Sequence, residues 1–315
     1  MKVLIVGAGV IGTIYGWALS EAGHQITHLV RPGRSLRFIN GISIDLMDRR
    51  KGHKKWLTEN YNIQVTETLN INNDYEMVIV PVRHYSVEDV LKQIVPLTPC
   101  VDYLLLTQNW KGTAGIDSIL PLSQCVFGDA KAGGSFQNNK LVATIYAIDI
   151  GCIENKDNDC LRRAQNLFLS ADIKTTLQDN ILHYLWVQYA ITGGMWPSFV
   201  QAGSIKAVLK NRQLVEASIL AVKECLSVVS ARGVDLNKYS ETDIYFNASV
   251  VKRVIGTIVI KNIFRFSKYI QRNSAHAMAD PVEIKTFYYD LINTGSEFRI
   301  NMPVMTSFKK VIDSL

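Results

Sequence analysis

Three glycines stand in the pattern Gly7-Ala8-Gly9-Val10-Ile11-Gly12, directly behind the apolar run Lys2–Val6. The chemistry open to such a loop is the grip of a diphosphate. The first glycine allows a tight turn, the second lets the backbone approach a pyrophosphate, and the third lets helix and strand pack closely. A helix opening at Val10 adds free amides and a partial positive charge. The pattern is weak alone, but between a strand and a helix it reads as a dinucleotide-binding loop. Gly7, Gly9, Val10, Ile11 and Gly12 are the expected cofactor-binding positions. Nineteen positions beyond Gly12 stands Arg31. A dinucleotide with a free ribose 2′-hydroxyl is usually met there by Asp or Glu. The segment Val30-Arg31-Pro32-Gly33-Arg34 holds neither. Arg31, with Arg34 as second donor, suits a 2′-phosphate, which guanidinium binds in bidentate fashion. The expected cofactor is therefore NADP(H).

The elements that must position this loop follow from apolar runs and their periodicity. Residues 2–6 and 25–30 predict strands, and 10–22 predict the helix between them, closed by Gly23. Alternation at Ile42–Leu46 and again at Ile63–Val65 flanks a basic tip, which reads as a hairpin-like excursion. Further strands are expected at Met77–Val80, Tyr103–Leu106, Cys125–Phe127 and Leu141–Ile150, with a helix over 86–95. Strands alternating with helices predict a mostly parallel, doubly wound α/β sheet of Rossmann type. After about residue 158 the pattern turns helical, over 158–170, 179–192, 203–231, 241–271 and 282–294. Two domains are expected: 1–178, a nucleotide-binding Rossmann domain, and 179–315, a helical substrate domain, with the active cleft between them.

Composition narrows the class. The chain has 315 residues, 48% apolar and 20% charged, which is the balance of a globular protein. A net charge of +6 is mild and dispersed, so nucleic acid is not an expected partner. No stretch reaches the ~18–20 apolar residues of a membrane span; Ser249–Phe266 carries four basic residues and suits an amphipathic helix. The five cysteines lack CxxC spacing, and no cluster has metal-ligand spacing, so no metal is expected and a reducing cytoplasmic location fits.

Further residues carry a family resemblance. Val82-Arg83-His84-Tyr85-Ser86-Val87, Leu105-Leu106-Thr107-Gln108-Asn109, Ile150-Gly151, Leu185-Trp186, Pro281-Val282-Glu283-Ile284 and Met302-Pro303 follow the phosphate loop in order. The chain resembles the ketopantoate reductase (2-dehydropantoate 2-reductase, PanE/ApbA) family. The resemblance implies a C-terminal domain like that of 6-phosphogluconate dehydrogenase. It implies hydride transfer from NADP(H) to a small carbonyl or imine, and it allows a homodimer. Arg83 stands where the family usually has lysine and, with Gln108 and Asn109, is expected at the cofactor. Asn109 also takes the position near the nicotinamide, and Glu283 that of the glutamate binding a substrate hydroxyl.

The departures bear on mechanism. The family's catalytic lysine position is Gln188, and its two asparagine positions are Thr192 and Trp196. Gln188, Thr192, Asn109 and Glu283 are the expected catalytic set. A glutamine donates a hydrogen bond but brings no charge and no useful proton. Three readings stay open: a related reductase with a diverged substrate, ketopantoate reductase itself with Arg83 or Lys111 as substitute cation, and an inactive NADPH-binding sensor. His84, His183, His276 and Ser274 are weaker candidates. Tyr184, Trp186 and Tyr189 are read as core. Gly193 and Gly194 would loosen their helix unless they admit a ligand or another helix.

Overall fold

A computed structural model describes residues 1–71, 73–138, 140–153, 158–246 and 280–315. The amphipathic segment Ser249–Phe266 and the candidates Ser274 and His276 lie outside the described residues. Two compact units divide the chain, Met1–Leu182 and His183–Leu315.

The first unit is built on one sheet. Its core strands are β1 (Lys2–Val6), β2 (Gln25–Leu29), β5 (Val65–Thr66), β6 (Met77–Val80), β7 (Asp102–Leu106) and β8 (Cys125–Gln137). They lie in the order β5-β2-β1-β6-β7-β8, with each neighbouring pair parallel. This is the order of dinucleotide-binding sheets, reversing direction between β1 and β6. Val78, Ile79 and Val80 are fully buried, as are Val3, Leu4 and Ile5. An unbroken apolar run is what a parallel strand covered on both faces requires. Helix α1 (Val10–Glu21) runs from β1 toward β2 and stops where Gly23 takes φ +87. Helices α2 (Val87–Ile94) and α3 (Asp159–Ser170) belong to the same unit.

The excursion expected after β2 is a hairpin, but its returning arm differs from the reading. β3 (Ile42–Asp48) pairs antiparallel with β4 (Lys55–Tyr61), not with residues 63–65. β4 is an edge strand exposed along most of its length, so no buried face imprinted an alternation on it. β3 docks parallel on β9 (Lys140–Gly151), matching Ser43 to Lys140. β10 (Lys174–Leu177) occupies the rest of that same β9 edge, from Ala147 to Ile150. Arg50 at the hairpin tip is tied down: it pairs with Asp48 at 2.8 Å, donates to the Ala171 carbonyl at 2.7 Å and lies over the Trp17 ring.

The second unit is helical among its described residues: α4 (Ile181–Ala202), α5 (Ile205–Lys210), α6 (Arg212–Ala231), α7 (Asp243–Phe246), α8 (Pro281–Glu297), α9 (Pro303–Ser307) and α10 (Lys309–Asp313). α4 continues past the expected end at 192, through Gly193, Gly194 and Pro197. The two glycines admit neighbouring helices: a Cβ on Gly193 would strike Leu291, and one on Gly194 would lie 2.6 Å from the Val222 Cα. The expected helix 203–231 is broken at Asn211, whose side chain accepts from the Gln213 and Leu214 amides and so starts α6. Asp280 caps α8 in the same way, with Pro281 in its first turn.

Candidate functional site

At the carboxyl end of β1 the three glycines serve three different needs. Gly7 takes φ +94, open to glycine at no steric cost. Its N–H donates to the Leu29 carbonyl at 2.8 Å, and its carbonyl meets His28 Nδ1 at 2.9 Å. A Cβ built on Gly9 would find nothing within 4 Å, leaving an open cradle over the start of α1. A Cβ on Gly12 would lie 3.0 Å from the Gly7 carbonyl and 3.1 Å from Ile5, so this glycine lets α1 pack on β1. The first helical bond runs from Thr13 N–H to Gly9 at 2.9 Å. The amides of Val10, Ile11 and Gly12 precede the helical ladder and point past its end. A pyrophosphate fits this cradle: it needs close backbone approach and forward-pointing amides, and a side chain at Gly9 would fill it.

His28 beneath the loop is fully buried. Burial lowers its imidazole to about 4, so it is neutral. A carbonyl only accepts, so Nδ1 carries the proton to Gly7. Nε2 then accepts from the Tyr61 hydroxyl at 3.1 Å. Burial also raises the Tyr61 phenol, keeping that hydroxyl a donor.

At the end of β2, Arg31 and Arg34 are both exposed. The loop that carries them is anchored by Glu67, just beyond β5, which accepts from the Ser35 amide at 2.8 Å. The Ser35 hydroxyl, followed by the amides of Gly33, Ser35 and Arg34, holds this carboxyl down at about 2. Glu67 was not among the expected site residues, because a two-residue strand leaves no pattern to place the acid after it.

Across the switch in strand order stand the loops after β6 and β7. Arg83 is exposed at the end of β6. Lys111 is exposed too, and its charge helps, after Lys92, to lower the Glu88 carboxyl. Asn109 is buried, and its side-chain amide closes the turn onto the Gly112 carbonyl. Gln108 donates to Asp129 at 3.4 Å. Asp129 lies 2.6 Å from the Lys131 ammonium, which is also 3.3 Å from Asp149. Lys131 is thus a half-buried cation beside a predicted cofactor residue. Sequence reasoning missed it because β8 was expected to end at Phe127, whereas it runs on to Gln137.

In the second unit, Gln188 and Thr192 lie one turn apart on α4, both half-buried. Gln188 Nε2 donates to the Glu241 carboxylate at 2.8 Å. The neighbouring Tyr189 is fully buried, stacks on Phe287 with ring centres 3.8 Å apart, and donates to Asp290 at 2.7 Å. Burial first, then Asp290 and Glu283, push its phenol upward, so Glu283 lies within electrostatic reach of α4. Trp196 is buried against Phe287, at 4.6 Å between ring centres, and is a core residue. Tyr184 is buried as well, while Trp186 is half-buried beneath the Arg232 guanidinium and stacks on His183.

The sequence model of the family described as Ketopantoate reductase PanE/ApbA matches residues 3–138. Over residues 3–138 the chain is thus similar to ketopantoate reductase family domains. The 2-dehydropantoate 2-reductase of Pyrococcus abyssi is 23% identical over 279 residues, covering 85% of this chain and 86% of that one. Among solved structures, D-mandelate dehydrogenase with NADH and anilino(oxo)acetate superposes with a TM-score of 0.77 at 12% identity, covering 100% and 97% of the two chains. The 2-dehydropantoate 2-reductase of Geobacter metallireducens superposes at 0.73 with 15% identity, covering 100% and 99%. At such identities the superpositions establish the fold, a Rossmann-type sheet followed by a helical region. Ketopantoate reductase family chains are oxidoreductases with a dinucleotide-binding fold. Among the described residues, no helix is long and apolar enough to cross a membrane, and no group of three or more His, Cys, Asp or Glu is placed to hold a metal.

Proposed function

We propose that this protein is an NADP(H)-dependent oxidoreductase that moves a hydride between the nicotinamide and a small carbonyl or imine, on a substrate other than ketopantoate. The observation that carries the cofactor reading is the open cradle at Gly9, followed along the sheet by exposed Arg31 and Arg34 where the 2′-phosphate would fall. Glu67 supports it by fixing the arginine loop before any ligand arrives. When bound, the cofactor supplies the hydride. The protein's part is to hold the substrate and manage charge on the atom that gains or loses a proton.

The Gln188–Glu241 hydrogen bond carries the substrate reading. An amide donating to a carboxylate offers neither positive charge nor a proton to a developing alkoxide. We assign Gln188, Thr192 and Glu283 to substrate binding, Asn109 to the nicotinamide side, and Arg83 and Gln108 to the cofactor. A second reading, ketopantoate reductase with a substitute cation, is favoured by Lys131, a half-buried ammonium one hydrogen-bonded partner away from Gln108. Initial rates of NADPH oxidation with ketopantoate and a panel of other 2-oxo acids and cyclic imines separate the two. The first expects turnover on a panel member and little on ketopantoate. Fast turnover of ketopantoate, lost in Lys131→Met, replaces it with the second.

A further inference from the structure

The phosphate loop is held from below by a side-chain chain that the glycine motif does not contain. Gly7 is gripped twice by β2: its N–H by the Leu29 carbonyl at 2.8 Å and its carbonyl by His28 Nδ1 at 2.9 Å. His28 is gripped in turn by the Tyr61 hydroxyl at 3.1 Å. Tyr61 is the last residue of β4, so it belongs to the inserted hairpin and not to the nucleotide-binding strands. Helix α1 leaves room for the contact. A Cβ on Gly16 would lie 2.5 Å from His28 Nε2 and 3.1 Å from the Tyr61 hydroxyl. Both side chains are buried, and their rings meet edge to face.

We propose that His28 and Tyr61 are positioning residues for the dinucleotide. Through them the inserted hairpin keeps the Gly7 carbonyl turned into the protein, so that the amides beyond it face the pyrophosphate. A carbonyl turned outward would present its negative end to the diphosphate. A donor that holds it inward removes that repulsion and fixes the loop before binding. The neutral imidazole suits the task because its two nitrogens do opposite work, one donating to Gly7 and the other accepting from Tyr61. This inference rests on the dinucleotide reading above.

The test titrates NADPH by fluorescence into the full-length wild type, His28→Leu, His28→Asn and Tyr61→Phe, with the melting temperature of each apo protein recorded alongside. His28→Leu removes the donor to Gly7 and should weaken NADPH binding about tenfold or more, the equivalent of one lost buried hydrogen bond. Asparagine carries an N–H close to where His28 Nδ1 stands, so His28→Asn should recover most of that loss. Recovery of this kind separates loop positioning from general damage. Tyr61→Phe keeps the ring, carries the test should His28→Leu fail to fold, and should show a smaller loss of about threefold. If wild type binds NADPH and both His28→Leu and Tyr61→Phe bind it equally well, the inference is overturned. It is also overturned if losses merely track melting temperature. If wild type itself binds no dinucleotide, the functional reading fails first and this inference falls with it.

Discussion

Replacing Arg31 with alanine should erase the protein's preference between its two candidate nucleotides. Arg31 and Arg34 are exposed, on a loop whose backbone Glu67 anchors through the Ser35 amide at 2.8 Å. A charge-assisted hydrogen-bonded pair contributes about 1.5–3 kcal/mol. In an exposed position solvent screening selects the lower end, and about 1.4 kcal/mol is already tenfold in affinity. Wild type should therefore bind NADPH about tenfold more tightly than NADH. Arg31→Ala should bring the two close to equality by weakening NADPH alone. The preference should also shrink as salt rises, because screening acts within about 10 Å at 0.1 M. Glu67→Gln supplies the internal control. Both arginines remain while the carboxylate beneath their loop is gone, so NADPH should weaken less than in Arg31→Ala. Calorimetric titration of both nucleotides into the three proteins gives the numbers. Equal affinities in wild type, or an Arg31→Ala that loses NADPH and NADH in the same proportion, would refute the assignment.

Gly9→Val should abolish NADPH binding with the apo melting temperature held within about 3 °C, since the new side chain enters open space that the pyrophosphate needs; normal binding would move the site elsewhere. Wild type should turn over ketopantoate slowly, and Gln188→Lys alone should recover much less than the ~10²–10⁴ that a general acid contributes, because the new ammonium would pair with Glu241. Adding Thr192→Asn should help further, whereas Trp196→Asn should destabilise the fold by several kcal/mol, since Trp196 is core against Phe287; rapid wild-type turnover of ketopantoate would show Gln188 to be no handicap. Stability should fall with acid through His28. The unfolded imidazole takes its proton near 6.5 and the folded one only near 4, so the stabilisation is present above the first value and is lost as pH falls toward the second. That is about 3 kcal/mol at pH 4. Urea unfolding of wild type against His28→Asn measures it, and identical pH slopes would contradict the buried neutral assignment.

What was legible in the sequence was what local sterics dictate. Gly7, Gly9 and Gly12 could be read because each need is met within a few residues, and the apolar runs at 2–6 and 77–80 because burial on both faces leaves no room for polar side chains. Exposed edges were illegible: β4 and β10 carry mostly exposed residues, and pairing along an edge imposes no alternation. Helix ends inside the second unit were misjudged where packing overrode propensity, as at Gly193 and Gly194, which look like a stop and serve as a close approach. The partners of the site residues, Glu67 beneath the arginine loop, Tyr61 against His28 and Glu241 on Gln188, come from distant parts of the chain, and spacing carries no trace of them.

The seat of the β3–β4 hairpin sets the order in which this chain can be completed during synthesis. β3 rests on β9, with Ser43 matched to Lys140, so the seat of residues 42–48 is translated about a hundred residues after them. At roughly 5–20 residues per second, the emerging hairpin waits on the order of 5–20 seconds with one long edge uncovered. The opposite edge, on β4, stays open even in the finished sheet, and Lys55 and Glu59 there discourage a stray partner. Tyr61 travels with that strand, so the prop beneath the phosphate loop arrives only when the last large strand of the sheet has closed. A ribosome-bound chain halted before β9 should therefore present the whole glycine loop and yet capture nucleotide poorly.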